Sequence, residues 1–225
     1  MLAASCFEKD GVEIRKGVLP RKVIESIKSD IDLGSPKLQK YGIRNLENRF
    51  ESIADLVSDD GLLSLAGQLL GGDPSLVRAL FFDKTPAKNW LVSWHQDKTV
   101  ALNATADLAG WGPWSVKDGV HHAQVPESVL NRMITIRLHL DSADEDNACL
   151  EVIPGSHKHG VLEQREIAEV VSNAAALPCV VDAGDAVIMR PHVVHRSRKS
   201  RQPSHRRVVH LEFSDFELPR GRAWA

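Results

Sequence analysis

The 225 residues are 43% hydrophobic and 26% charged, ordinary values for a chain that buries one substantial core. A formal net charge of −2 gives no global reason to expect nucleic acid or an anionic membrane as a partner. Cys6, Cys149 and Cys179 are few, odd in number and far apart, so neither a disulfide framework nor a zinc ribbon is expected, and a reducing cytoplasm is the simplest compartment. The opening "MLAASCFEKDG" is too short and too soon charged for a signal peptide, and no apolar run approaches membrane-spanning length.

In chain order, "DGVEIRKGVLP" reads as a turn and a short strand, after which Pro20 opens a helix with Val23, Ile24, Ile27 and Ile31 on one stripe. "GSPKLQKYG" is a loop. Residues 47 to 70 hold two short helices ended by Gly71 and Gly72. From residue 76 the period changes to two. "SLVRALFFDK" and "NWLVSWHQD" are strand-like, and residues 98 to 131 read as irregular. "RMITIRLHLD" then alternates: Ile134, Ile136, Leu138 and Leu140 on one face, Thr135, Arg137, His139 and Asp141 on the other. "ACLEVIPGSHKHG" is a strand into a tight turn, residues 162 to 174 a short helix, "CVVDAGDAVIMRPHVVHRS" two strands around a Gly-Asp turn, and "RRVVHLEFSDF" a last strand. Helices first and many short strands after argue for an α+β fold with an antiparallel barrel or jelly roll, in one domain over residues 1–225.

Two polar positions interrupt the strand-like run "LVSWHQDKTV". Strand parity points His95 and Asp97 the same way and Trp94 and Gln96 the other, so His95 and Asp97 can grip one ion. A hydrogen-bonded His/Asp pair is the commoner fate of such neighbours. Downstream, "RPHVVHRS" offers His192 or His195 as a third ligand; the two face opposite ways. H-x-D followed far downstream by a lone His such as His195 is the order of a two-His, one-carboxylate facial triad, which leaves open positions suited to non-haem Fe(II). Arg206 follows His195 at the start of the last strand. Parity puts Arg206, Val208, His210 and Glu212 on one face and Val209, Leu211 and Phe213 on the other, so in a jelly roll with a polar lumen Arg206 would point inward with a fork suited to a carboxylate, the alternative being that Arg206 and Arg207 are surface charges.

With these residues the chain resembles the phytanoyl-CoA dioxygenase family of Fe(II)/2-oxoglutarate-dependent oxygenases. The resemblance rests on "WHQD", "CLEVIPGSHKHG", "AGDAVIMRPHVVHRS" and Arg206, with "DGVEIRKGVL" like the family's opening strand. "LFFDKTPAKNWLVSWHQD", "GWGPWSVKDGVHHAQVP" and "TIRLHLD" look like a bacterial subgroup of unassigned substrate. The resemblance implies a double-stranded β-helix, a cupin-like jelly roll, with N-terminal helices outside one sheet. It implies that His95, Asp97 and His195 bind Fe(II), that 2-oxoglutarate chelates the metal with its far carboxylate on Arg206, and that O₂ takes the remaining position. The products implied are succinate, CO₂ and a hydroxylated small molecule. Related halogenases lack the carboxylate, so Asp97 implies hydroxylation or desaturation. The sequence departs from the family pattern twice: Asn147-Ala148 stands where Asn-Gly is usual, which predicts a different turn, and Arg196 follows the distal His where a small residue is usual.

Other residues join as candidates. Arg137 and Thr135 lie on the polar strand face and are candidates for 2-oxoglutarate or substrate, or for holding a ligand in place. Lys84 is a lumen candidate against a default surface position, and Arg44 a weaker one. His157 reads as a turn residue, and neither His121/His122 nor His157/His159 has a carboxylate at H-x-D spacing. Trp111 and Trp114 are expected either to line the substrate pocket as a lid or to plug the barrel end. "HRSRKSRQPSHRR" carries six basic residues and no acid, either a solvated loop or a lure for an anionic substrate. The alternatives are a cupin-type metalloenzyme without 2-oxoglutarate and a non-catalytic small-molecule-binding jelly roll.

Overall fold

The computed structural model describes residues 7–34, 42–202 and 204–225, so Cys6 and most of the loop expected at 34–42 lie outside the described residues. Helix α1 (Phe7–Asp10) and strand β1 (Val12–Arg15) lead into α2 (Arg21–Gly34). Pro20 stands just before α2, and its carbonyl accepts from the amides of Val23 and Ile24. The stripe Ile24, Ile27 and Ile31 is buried. After β2 (Gly42–Arg44) come α3 (Glu51–Val57) and α4 (Asp60–Leu70). Asp59 caps α4 by accepting from the Leu62 amide at 2.9 Å, and Gly71 ends it at φ 83°, a left-handed conformation that glycine adopts without a Cβ clash.

The remainder is mainly strand: β3 (Ser75–Lys84), β4 (Val92–His95), β5 (Thr99–Leu102), β6 (Trp114–Lys117), β7 (Val120–Gln124), then the short helix α5 (Glu127–Leu130), β8 (Met133–His139), β9 (Leu150–Val152), α6 (Gln164–Ser172), β10 (Leu177–Cys179), β11 (Ala186–Met189), β12 (His195–Ser197) and β13 (Arg206–Ser214). One sheet runs β1-β11-β8-β13-β3-β2 and a second β10-β9-β12-β4. Every pairing in them is antiparallel, as a jelly roll requires.

Period-two alternation on the two long central strands decides which way the barrel faces. Ile134, Ile136 and Leu138 of β8 and Val209, Leu211 and Phe213 of β13 pack outward into one cluster with Ile24, Ile27, Ile53, Leu56 and Leu62 from α2, α3 and α4. Each such burial contributes roughly 1.5–3 kcal/mol, so the helices cover the outside of the large sheet. The opposite faces turn into the barrel. One end of that interior is apolar, filled by Val12, Cys149, Leu150, Val152, Val187, Met189 and Val193. The other is polar and holds the candidate site.

Residues 98–131 correct the expectation of an irregular stretch. They form β5, β7 and β6 in a three-stranded sheet, with β6 and β7 joined at Asp118-Gly119. Both turn residues have positive φ, 52° and 83°, the geometry of a two-residue hairpin for which Asp-Gly is favoured. "VKDGV" carried that signal. A further correction concerns Ala148: its φ of 69° keeps the left-handed backbone that glycine usually supplies, although an alanine there costs about 1–2 kcal/mol. Among the described residues no helix is long and apolar enough to cross a membrane.

Candidate active site

The pairing of β4 with β12 sets His95 directly opposite His195. Their rings stand 4.2 Å apart. Strand β4 ends at His95, yet Asp97 still turns back beside it because its amide donates to the Pro191 carbonyl at 2.9 Å. Gln96 holds the same bend from behind. Its side-chain amide donates to the Gly160 and His192 carbonyls, both at 2.8 Å, and its oxygen accepts from the Leu162 amide at 2.8 Å. Trp94, on the same side, packs on the cluster of Ile153, Leu162, Ile167 and Val194 under the Arg196 guanidinium.

Each histidine meets a backbone carbonyl through Nδ1: His95 with Ser93 and His195 with Val193, both at 2.8 Å. A carbonyl only accepts, so Nδ1 carries a proton and Nε2 is the ring nitrogen that can face a metal. The two Nε2 atoms lie 3.6 and 3.5 Å from the Asp97 carboxylate oxygens, and one atom from each residue fits within 4.8 Å of the others. Burial opposes the charge on Asp97, but the two histidines overcome it and hold the carboxyl well below its ordinary range. Two imidazoles with Nε2 turned inward and a carboxylate on one side of a cavity match a divalent metal. His192 is excluded from this group: it is fully buried against His157, with ring centroids 5.9 Å apart.

The cavity over these ligands encloses about 200 Å3 and is lined by β3, β4, β8, β12 and β13. A larger groove of about 740 Å3 lies outside, between α2 and α4, and contains none of the metal-ligating groups. Arg206 and Lys84 face each other across β13 and β3 and are 2% and 1% exposed. Lys84 donates to the Ser197 hydroxyl at 2.8 Å and to the Arg198 carbonyl. Arg206 donates to the Ala148 carbonyl and, at 3.4 Å, to the same Ser197 hydroxyl. Ala148 thus uses its strained backbone to aim a carbonyl at Arg206. Burial, then the positive charges of Arg206 and Arg137, lower the Lys84 ammonium to about 7. Burial and Arg137 lower Arg206 to about 10. His139, buried beside both arginines, is pushed down to about 3 by burial and then by their charge, and stays neutral.

A second buried chain supports the site from below. Arg137 Nη1 donates to His210 Nδ1 at 2.7 Å; a guanidinium cannot accept, so His210 Nδ1 is the acceptor and its Nε2–H donates to Glu212 at 3.0 Å. Arg78 grips Glu212 through two bonds of 2.8 and 2.7 Å. Burial opposes the Glu212 charge, but Arg78 and His210 hold its carboxyl below the ordinary value.

The candidates therefore separate. His95, Asp97, His195, Arg206, Arg137 and Lys84 all line one cavity. Thr135 is fully buried on β8 and does not line it. Trp111 and Trp114 pack with Phe216, Leu218 and Trp224 on the three-stranded sheet, which corrects their placement at the pocket. Trp90 lines the cavity instead, 5.4 Å under Lys84. Arg44 pairs with Asp118 at the surface. The basic run is largely neutralised: Arg196 and Arg198 pair with Glu151, Arg201 with Asp146 and Arg207 with Asp141. Sequence reasoning missed Gln96, Trp90, Ser197 and the Arg78–Glu212–His210 chain; parity on β3 and β13 was the available signal for the last.

A jelly roll whose facing strands present two histidines and a carboxylate inside, with buried cations beyond them, brings together groups that could hold a metal and an anion in one cavity. The chain belongs to the phytanoyl-CoA dioxygenase (PhyH) family, whose model matches residues 7–208. "Phytanoyl-CoA dioxygenase 1" of Oryza sativa subsp. japonica is 24% identical over 165 residues, 68% of this chain and 50% of that protein. The chain spans about half the length of the curated relatives it matches. Among solved structures, AviO1 from Streptomyces viridochromogenes Tue57 superposes with a TM-score of 0.71 at 23% identity, covering 96% of this chain and 94% of that one. HygX from Streptomyces hygroscopicus, with nickel and 2-oxoglutarate bound, gives 0.67 at 18% identity, covering 95% and 87%. At these identities the likeness establishes the jelly-roll fold.

Proposed function

We propose that the protein is a non-haem Fe(II)/2-oxoglutarate-dependent dioxygenase, a single catalytic domain over residues 1–225, that hydroxylates a small organic substrate with release of succinate and CO₂. The observation that carries this reading is the meeting, in one cavity, of the His95–Asp97–His195 donor face with two buried cations, Arg206 and Lys84, that have no carboxylate within ion-pair distance among the described residues. Family membership supports it. So does the HygX structure, which contains 2-oxoglutarate and a metal in the same fold.

Bound iron would supply the coupling of O₂ reduction to 2-oxoglutarate decarboxylation. The protein's share is positioning. His95 and His195 are held by their Nδ1–H bonds with Nε2 turned inward, and Asp97 is clamped by the Pro191 carbonyl while Gln96 braces the bend. Arg206, with Lys84 and the Ser197 hydroxyl, would take the far carboxylate of the co-substrate; Ser197 follows His195 by two residues on the same strand face, so one strand orients both ends. Cys149 and Cys179, buried in one core cluster, are free thiols, which favours a reducing compartment such as the cytoplasm. The test is anaerobic addition of Fe(II) and 2-oxoglutarate, followed by the weak visible charge-transfer band of the chelate, and then succinate release on admitting O₂. A wild-type protein with neither signal would rule the reading out.

A further inference from the structure

We propose that the substrate carries an anionic group of carboxylate type and that Arg137 receives it, an inference that rests on the Fe(II)/2-oxoglutarate reading above. Of the cations lining the cavity, Arg78 is neutralised by Glu212 and Arg196 by Glu151. Lys84, Arg137 and Arg206 have no such partner among the described residues, and Asp97 is the one carboxylate in the lining. A divalent ion adds two positive charges and the 2-oxoglutarate dianion removes two. With both bound, three cations still face one carboxylate, and the excess remains even when Lys84 gives up its proton.

Arg137 is separate from the co-substrate end. Arg206 and Lys84 converge on Ser197, where one far carboxylate fits between them. Arg137 is tied instead to His210, and its guanidinium lies over the Phe82 ring at 5.8 Å. It stands beside His210 on the neighbouring strand and makes no bond to Ser197. It is 7% exposed, and its Nε has no hydrogen-bond partner.

An uncompensated buried guanidinium is destabilising, and an apolar side chain of similar size would serve packing better. This one is also supported: His210 accepts from it, Glu212 accepts from His210, and Arg78 anchors Glu212. Because the link is a neutral imidazole, the chain orients the fork without cancelling its charge. A planar carboxylate entering from the mouth would meet donors set for it and remove the desolvation penalty. The basic loop outside cannot take this role, since its charges are largely paired.

The test titrates butyrate into the anaerobic Fe(II)–2-oxoglutarate protein while the visible band is followed. Expected are a saturable band shift without loss of intensity, no response to the neutral isostere butyramide, and butyrate affinity weaker by about tenfold or more in Arg137→Gln, with 2-oxoglutarate affinity within about twofold of wild type. Arg137→Lys, which keeps the charge but not the fork, falls between. The band persisting in each variant shows that it is folded and loaded. Four results overturn the inference: bleaching that excess 2-oxoglutarate reverses, an equal response to butyramide, no saturable response, or a tenfold loss of 2-oxoglutarate affinity in Arg137→Gln, which would reassign Arg137 to the co-substrate. A wild-type protein that forms no band with 2-oxoglutarate would bring down the functional reading and this inference together.

Discussion

Two sets of basic side chains, one outside the barrel and one within it, differ in pairing and in burial. Outside, Arg198, Arg201 and Arg207 each have a carboxylate within ion-pair distance. Inside, Arg206, Arg137 and Lys84 have none among the described residues and are almost completely buried. The outer set is the one that stands out in the sequence. Yet a surface arginine beside a glutamate is close to neutral toward a ligand, whereas a buried arginine lacking a counter-charge is stable only if a ligand completes it. Charge density along a chain is therefore a poor guide to an anion site; burial without a partner is a better one.

The comparison is broken most severely by converting the paired inner arginine into an unpaired one. Glu212→Ala strands Arg78 and frees His210, and the expected loss is about 3–5 kcal/mol of stability, read from the denaturant midpoint. Next in size is Arg206→Gln, expected to weaken 2-oxoglutarate binding about a hundredfold, since removing one side of a buried charge pair costs about 2–5 kcal/mol. A titration of the charge-transfer band measures it, and an unchanged affinity would take Arg206 out of the co-substrate site.

A smaller effect sharpens the inner set through pH. The Lys84 ammonium, lowered to about 7 by burial and by Arg206 and Arg137, is the protonated, anion-binding form below that value. Co-substrate affinity should fall as pH rises through about 7 and flatten where the bound anion has raised the ammonium again. Lys84→Met should bind more weakly at low pH and lose that slope. Should Lys84→Met keep the wild-type slope, the titrating group lies elsewhere. Least of all should change in Arg198→Ala, on the outer side: under about 1 kcal/mol of stability and no measurable shift in 2-oxoglutarate affinity or its salt dependence.

Much of the site could be read along single strands, because strand parity is a local rule. The inward placement of Arg137 and of Arg206 with His210 and Glu212 follows from alternation on β8 and β13, and the outward apolar faces of the same strands are where the helices pack. His95 and Asp97 are a partial case. Parity put them together, but the strand stops at His95, and the Gln96 brace and the Pro191 carbonyl, distant in sequence but just before the neighbouring β12, complete the geometry. Trp111 and Trp114 were ambiguous for the opposite reason. Their surroundings are built by the Asp118-Gly119 hairpin and by Phe216, Leu218 and Trp224, a hundred residues on, so nothing local distinguished pocket from core.

By itself the sequence determined the kind of protein: helices before strands, a histidine and carboxylate two apart, a distant histidine, and an inward arginine, all set by residue chemistry and the two-residue period. Only the tertiary structure decided which tryptophan meets the cavity and which basic residues keep their charge unpaired, and in "RPHVVHRS" it sets His195, the histidine implied by the family resemblance, beside Asp97. Those outcomes depend on burial and on partners distant in sequence, such as Glu151 for Arg196 and Glu212 for Arg78. Desolvation is a property of the assembled barrel, and it is what separates an arginine that waits for a ligand from one that already has its partner.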